Sequence, residues 1–489
     1  MKLKVKDVGL TSGGPLIVVL NGEDAHALDL NPGDRISVRR IKLKKEVICV
    51  VNITEKGIKK GEIGFFDEVL KRANVSKGSS VNVDIADRPR TIDYIKKKLE
   101  GKELNDIEFD ELVRDIVNNE FSEAELTFFV SGCYASGLNL RESAALAEAI
   151  VNNGERLEFK DEVIVDKHSI GGVCGNRTTM VIVPIMAALG YKMPKTSSRS
   201  ISSPSGTADT MEVLAPVAMS VDKLKKVVNK TKGCIAWGGG MNLASVDDKL
   251  IKIRHPMSLD PLGLVLASIM AKKKAVGATH VLIDIPFGIG SKIEKKKDAL
   301  FLRKMFIQIG RLMGMKVRVV LTDASQPIGN GIGPALECSD VISVLKGMGP
   351  HDLREKSIFL CINMLRMVGV VGARKKVLKV LENGKAYEKF REIIREQGGR
   401  KRPQLPRAKL FYDFKAGKKG RVKEIQNKVI SKLARLAGAP EDKSAGMYLR
   451  VDVGDKVKKG EILFTLYSES KVKLETTKNY LKKNNGVIY

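Results

Sequence analysis

The spacing of apolar and polar positions changes character several times along the chain. From residue 1 to 87, short alternating runs are broken by Gly and Pro turns, the period-two pattern of half-buried strands. Two pieces look alike, LDLNPGDRISV (Leu28 to Val38) and ANVSKGSSVNV (Ala73 to Val83), with Gly33 and Gly78 45 positions apart. This pseudo-repetition predicts two related halves folded into one β-barrel-like domain. From 88 to 157 the period is helical. Thr91 is placed to cap TIDYIKKKLEG with Gly101 as its stop, Ser122 with Glu125 has a capping-box pattern, and Asn139 with Glu142 a looser one. The stretch at about 245–275 completes this helical subdomain. Over 158–398, apolar runs such as VIVPI and HVLIDIPF read as buried strands. They alternate with the helical stretches DPLGLVLASIMAKKKA and KKDALFLRKMFIQIGRLMG. That alternation predicts a central α/β domain with its ligand loops at the strand ends. Residues 399–489 open on the Pro-bearing basic connection GGRKRPQLPRA and continue as a C-terminal α+β domain. The fold class expected is therefore multi-domain α/β.

Composition narrows the picture. With 489 residues, 43% of them hydrophobic, the chain can bury several cores. No segment approaches the ~18 uninterrupted apolar residues of a membrane span. The start MKLKVKDVGL lacks the apolar core of a signal peptide, so a cytoplasmic location without membrane partners is expected. Six scattered cysteines and five histidines show no metal-ligand spacing, so neither a metal nor another cofactor is expected. The net charge of +28 would suit a nucleic-acid binder. The lysine groups, however, are dispersed and lack the aromatic interleaving of single-strand binders, so nucleic acid is not the expected partner. Abundant Lys and Glu with only five Gln fit a thermophilic source.

Two loops carry the chemistry. Val163 to Thr179 reads VIVDKHSIGGVCGNRTT, a β-branched run followed at once by Lys167, Ser169 and two glycines. Lys195 to Glu212 reads KTSSRSISSPSGTADTME, rich in small and hydroxyl residues. Backbone N–H groups and short O–H donors with little bulk suit a multiply charged oxyanion. Two such loops predict a substrate with more than one anionic group.

DKHSIGGV (Asp166 to Val173), TSSRSISSPSGTADTMEVL (Thr196 to Leu214), IRHPMSLDPLGLVLASIMAKK (Ile253 to Lys273) and DIPFGIGSK (Asp284 to Lys292) together resemble the thymidine and pyrimidine nucleoside phosphorylases in order and spacing. The resemblance runs from about Thr91 to the C-terminal domain. There AGMYLRVDVGDKVKKGEILFTLYS resembles the hammerhead-like β unit of biotinyl and lipoyl carriers. It has no evident attachment motif and reads as a packing or assembly module. Departures matter as much as matches. The first loop is Gly171-Gly172-Val173-Cys174-Gly175-Asn176 where the pyrimidine enzymes have Gly-Gly-Val-Gly-Asp. The second is Ser203-Pro204-Ser205-Gly206-Thr207 in place of His-Thr-Gly-Gly-Thr, and Ile251 replaces a tyrosine ahead of Arg254. This rebuilt pattern, with the extra N-terminal domain, resembles the archaeal AMP phosphorylase branch of that family.

The resemblance implies phosphorolysis of AMP to adenine and ribose 1,5-bisphosphate by a homo-oligomer, a dimer or larger. A pyrimidine nucleoside phosphorylase is the nearer alternative, and a nucleic-acid-binding or assembly protein the more distant one. Breaking an N-glycosidic bond requires phosphate held beside C1′ and an acid for the departing base. Lys167 supplies charge, Ser169 and Thr179 supply hydroxyls, and Gly172 permits close backbone approach. Ser197, Ser198, Arg199, Ser200, Ile201, Ser202, Ser203 and Thr207 supply the second cradle, Arg199 being suited to a second phosphate. Asp260 is the candidate acid. Leu259, Pro261 and Leu262 would keep it protonated by desolvation, and the alternative role is a helix cap at Asp260-Pro261. Ser268 and Lys272 follow near one helical face and match the family's base-contacting serine and lysine. Lys292 is a candidate nucleotide contact.

Overall fold

The computed structural model describes residues 1–489 except 14–15, 41–45, 201–202, 241–242, 244, 258 and 401–403. The chain divides into two units, Met1–Asn153 with Ser245–Ala267, and Gly154–Ala244 with Ser268–Tyr489.

In the first unit six strands, β1 (Lys2–Asp7), β2 (Ile17–Asn21), β3 (Arg35–Arg40), β4 (Glu46–Thr54), β5 (Glu62–Phe65) and β6 (Ser80–Ile85), close into a barrel in the order β1-β5-β2-β4-β3-β6. Val18, Leu20, Ile36, Val38, Val51 and Phe65 fill its interior. The sequence pseudo-repeat reappears in the hydrogen bonds. Gly33 N–H donates to the Val51 carbonyl and Gly78 N–H to the Val5 carbonyl, both at 2.8 Å. The parallel pairings β2 with β4 and β5 with β1 are the corresponding halves. Both glycines sit at positive φ, 94° and 84°, a conformation that strains any residue with a Cβ.

Beyond the barrel, the helices of this unit include Ile92–Leu99, Asp106–Asn118, Glu123–Ala135, Leu140–Asn152 and Ser245–Arg254. Ser122 with Glu125 and Asn139 with Glu142 both form complete capping boxes, and Asn105 with Glu108 adds a third. Thr91 does not cap with its side chain. Its backbone is helical (φ −66°, ψ −10°), not the extended conformation of a capping residue, and its hydroxyl donates to Asp115 at 2.6 Å.

The second unit holds the parallel strands β7 (Val165–Ser169), β8 (Met193–Ser197), β9 (Gly233–Trp237), β10 (His280–Phe287) and β11 (Lys316–Asp323). β10 lies between β11 and β7, β8 pairs with β9, and the bridge Ile164 to Lys192 joins β7 to β8. The run VIVPI is not a strand. It belongs to the helix Thr178–Ala188, whose Val181, Ile182, Val183 and Ile185 are wholly buried. A helix buried on all sides leaves no polar face, so its periodicity cannot be told from that of a buried strand. The connection between parallel β7 and β8 requires such a crossover.

HVLIDIPF is the strand β10, and the two helical stretches are the helices Leu262–Ala275 and Lys296–Leu312. At the C-terminal end, Leu410–Lys415, Gly446–Leu449 and Ile462–Ser468 form a sheet with Gly331–Ile332, which is contributed by the chain just after β11. The helices Asn427–Ala437 and Lys471–Leu481 belong to the same segment, and their Ile430, Leu433 and Leu474 share a core with Phe464 and Leu466 of the sheet.

Candidate active site

Side chains alternate along β7, so Lys167 and Ser169 share one face of the sheet and Asp166 and His168 the other. Asp284 of β10 pairs in register with Ser169 and is fully buried. Its Oδ2 accepts from the Ser169 hydroxyl at 3.0 Å and its Oδ1 from Thr322 at 2.6 Å. Lys167 Nζ donates to Thr178 Oγ1 at 3.0 Å and lies 3.9 Å from Asp284. Thr178 in turn donates to Asn176 Oδ1 at 3.0 Å. Burial holds the Lys167 ammonium down at about 8 despite the attraction of Asp284. A cation so poorly solvated gains strongly from an arriving anion.

On the other face, Asp166 meets Lys273 at 2.5 Å and Lys195 at 3.6 Å. Burial brings Lys195 down to about 7. Loss of solvent, reinforced by Lys273 and Lys195, pushes His168 well below its ordinary value, so it is neutral at physiological pH.

The loop after β8 is organised by Asp209, a buried residue of the short helix Thr207–Glu212. Its Oδ2 accepts from Ser200 N–H at 2.7 Å and from Gly206 N–H at 2.9 Å, and its Oδ1 from Arg199 at 3.1 Å. Arg199 also donates to Glu212 at 2.7 Å and stacks on Trp237 at 4.8 Å. Its charge is thus already matched by two carboxylates. Gly206 is pressed so tightly on the loop that a Cβ would stand 2.6 Å from the Ser198 carbonyl oxygen.

Arg177 ties the two loops together. Its guanidinium pairs with the buried Glu337 and donates to the Ser205 carbonyl. Glu337 also accepts from Thr210 at 2.9 Å and from Gly333 N–H at 3.2 Å. Gly172, at φ +90°, lies where a Cβ would meet the Lys292 backbone nitrogen at 2.4 Å. Glycine is therefore needed there to pack the loop against its neighbour.

Of the residues singled out in sequence, Lys167, Ser169 and Gly172 lie at one end of the sheet, and Thr178 is the threonine whose hydroxyl meets Lys167. Thr179 is buried beside it. Ser197 ends β8, Ser198 and Ser203 are exposed, Ser200 is half-buried and Thr207 is buried. Ile201 and Ser202 lie outside the described residues. Ser268 is buried, Lys272 half-buried and Lys292 exposed. Asp260 belongs to the first unit, where its carboxylate is 47% exposed and 3.6 Å from Arg254. The desolvation expected from Leu259, Pro261 and Leu262 is therefore incomplete. The helix that follows runs over Leu262–Ala275, and Val265 N–H donates to the Pro261 carbonyl at 3.0 Å.

Sequence reasoning passed over Asn176, Arg177, Asp209, Asp284, Glu337 and Lys356. Asp284 carried a signal, a carboxylate inside the otherwise apolar run HVLIDIPF, which is costly to bury unless paired.

A Glycosyl transferase family, a/b domain profile matches residues 161–387, the helical bundle domain of the same family matches 92–154, and a Pyrimidine nucleoside phosphorylase C-terminal domain matches 421–487. AMP phosphorylase of Thermococcus kodakarensis is 44% identical over 97% of this chain and 95% of its own length. AMP phosphorylase of Thermococcus sibiricus is 43% identical over the same shares. The chain belongs to the AMP phosphorylase family. A putative thymidine phosphorylase of Legionella pneumophila is also similar, 38% identical over 99% of this chain and 95% of its own length. Anthranilate phosphoribosyltransferase from Thermus thermophilus shares the fold alone, with a TM-score of 0.52 at 16% identity over 62% of this chain and 99% of that one. The family's domains are those of glycosyl transferases arranged as a multi-domain α/β protein, and the chain is an enzyme of that class.

Proposed function

We propose that this enzyme catalyses phosphorolysis of AMP, with inorganic phosphate attacking C1′ of the ribose as the bond to adenine N9 breaks. The electron pair of that bond leaves with adenine, and the new C1′–O bond makes ribose 1,5-bisphosphate. The observation that carries this reading is the poorly solvated cationic cluster at the end of β7, joined through Arg177 to a second hydroxyl-rich loop. Lys167, Ser169 and the Gly172 turn form one anion cradle. Ser197 to Ser200 with Ser203 and Thr207 form the other, held in shape by Asp209 and Arg199. Ser268, Lys272 and Lys292 contact the nucleotide. Asp260 donates the proton to N7 of the leaving adenine, with Arg254 orienting its carboxyl group. The same reading includes a cytoplasmic homo-oligomer.

Incubating AMP, CMP, UMP, adenosine and thymidine separately with phosphate, and following base release, tests it. Release from AMP and not from free nucleosides is the expected outcome. Release from thymidine or adenosine alone would make this a nucleoside phosphorylase instead.

A further inference from the structure

Lys356, on the helix His351–Met367, points its ammonium into the same cluster, and no part of the reading above uses it. Its side chain is nine-tenths buried, yet Nζ has no hydrogen-bond partner among the described residues. The nearest carboxylate oxygen, Asp284 Oδ2, is 3.6 Å away, an ion pair and not a hydrogen bond. Asp284 is already engaged by Ser169 and Thr322 and shared with Lys167. Two further carboxylates that attract Lys356, Asp323 and Asp352, bond to backbone N–H groups of Ser325 at 3.0 Å and Gly329 at 2.8 Å. A buried ammonium has three donors, and leaving them unmet is costly.

We propose that Lys356 is a second cationic ligand for a substrate phosphate group, gripping the oxyanion together with Lys167 across Asp284. The ligand chemistry is a phosphate oxyanion, which two sources supply: the inorganic co-substrate or the 5′-phosphate of the nucleotide. Burial, the first cause acting on Lys356, destabilises its charged form, as it does for Lys167. An anion between the two ammonium groups relieves both at once. Asp284 then keeps them from repelling one another and sets their separation.

This inference rests on the phosphorolysis reading, and the experiment separates the two. In Lys356→Gln, KM is measured for phosphate and for AMP, and thermal unfolding is followed with and without added inorganic phosphate or AMP. The expected result is a rise of ~10-fold or more in KM for one of the two, the source, with a change below about 2-fold for the other. The thermal shift given by that same ligand should shrink, and Lys356→Arg should restore part of both. These effects correspond to losing a charge-assisted hydrogen bond. Unchanged KM values and unchanged ligand-induced shifts in Lys356→Gln, even with a lower melting temperature, would show a merely structural lysine and overturn the proposal. Should the wild-type protein release no base from AMP, the phosphorolysis reading fails. The ligand-induced thermal shifts of wild type and variant then still decide whether Lys356 binds phosphate.

Discussion

Arg177 donates to the backbone carbonyl of Ser205 while paired with Glu337, so the turn after β7 and the turn after β8 are held by one guanidinium. Two loops far apart in sequence thus share one rigid brace. Their relative position is set before any substrate arrives, which lowers the cost of ordering them on binding.

Replacing Arg177 by Met should therefore harm both stability and affinity. Glu337 would be left buried without its counter-charge, and breaking such a pair costs about 3–5 kcal/mol. Because Thr210 and Gly333 still donate to Glu337, the lower end of that range is expected. Chemical denaturation measures the first effect, and KM for phosphate and AMP the second. A variant with wild-type stability and both KM values unchanged would show that the brace is dispensable.

Gly172→Ala should damage binding without touching a charged group. The backbone sits at φ +90°, and an added Cβ would meet the Lys292 backbone nitrogen at 2.4 Å, so one loop must move. Backbone strain of this kind costs roughly 1–3 kcal/mol. Thermal unfolding should show that loss, and phosphate affinity should fall by about tenfold if a comparable part of the strain is released at the site.

The lysine cluster gives the enzyme a pH signature. Lys167 is held down at about 8, against an ordinary value of 10.5. Below about pH 8 the native and unfolded chains both carry this proton, and the full penalty of burying it is present. Between about 8 and 10.5 the unfolded chain binds more protons, so the contribution of Lys167 to stability rises with pH. Phosphate binding moves the opposite way, because only the charged ammonium attracts the anion. KM for phosphate should rise above about pH 8 while the ligand-free protein gains stability from this group. Lys167→Met should remove this residue's share of both trends, as read from pH-rate profiles and unfolding curves, leaving the shares of Lys195 and Lys356.

Asp260→Asn should retain nucleotide binding and lose about 10²–10⁴-fold in turnover, the usual worth of a general acid. Isothermal titration with AMP and single-turnover base release separate the two. Full turnover in the variant would remove Asp260 as the proton donor.

Several parts of the fold could be read from local chemistry. Ser122 with Glu125 and Asn139 with Glu142 are capping boxes because the partners lie within one helical turn. The repeat around Gly33 and Gly78 recurs as matching backbone hydrogen bonds. The loop bearing Lys167 and Ser169 stands at a strand end because strand and turn residues adjoin in the chain. Where an answer depended on surroundings, the reading failed or was incomplete. VIVPI is apolar on every side, and only its burial between other elements made it a helix. Thr91 had an acceptor available on another helix, Asp115, which its own neighbours do not reveal.

The order of loops, the hydroxyl-rich composition and the motif spacing that marks the family are properties of the chain itself, since they rest on residues near one another in sequence. Which charges face the ligand is a property of the fold. Arg199, conspicuous in its motif, is neutralised by Asp209 and Glu212, whereas Lys356, inconspicuous in the helix His351–Met367, is brought to Asp284 with its donors unmet among the described residues. Electrostatic partnership depends on distance and burial in space, and neither is encoded in the spacing of residues along the backbone.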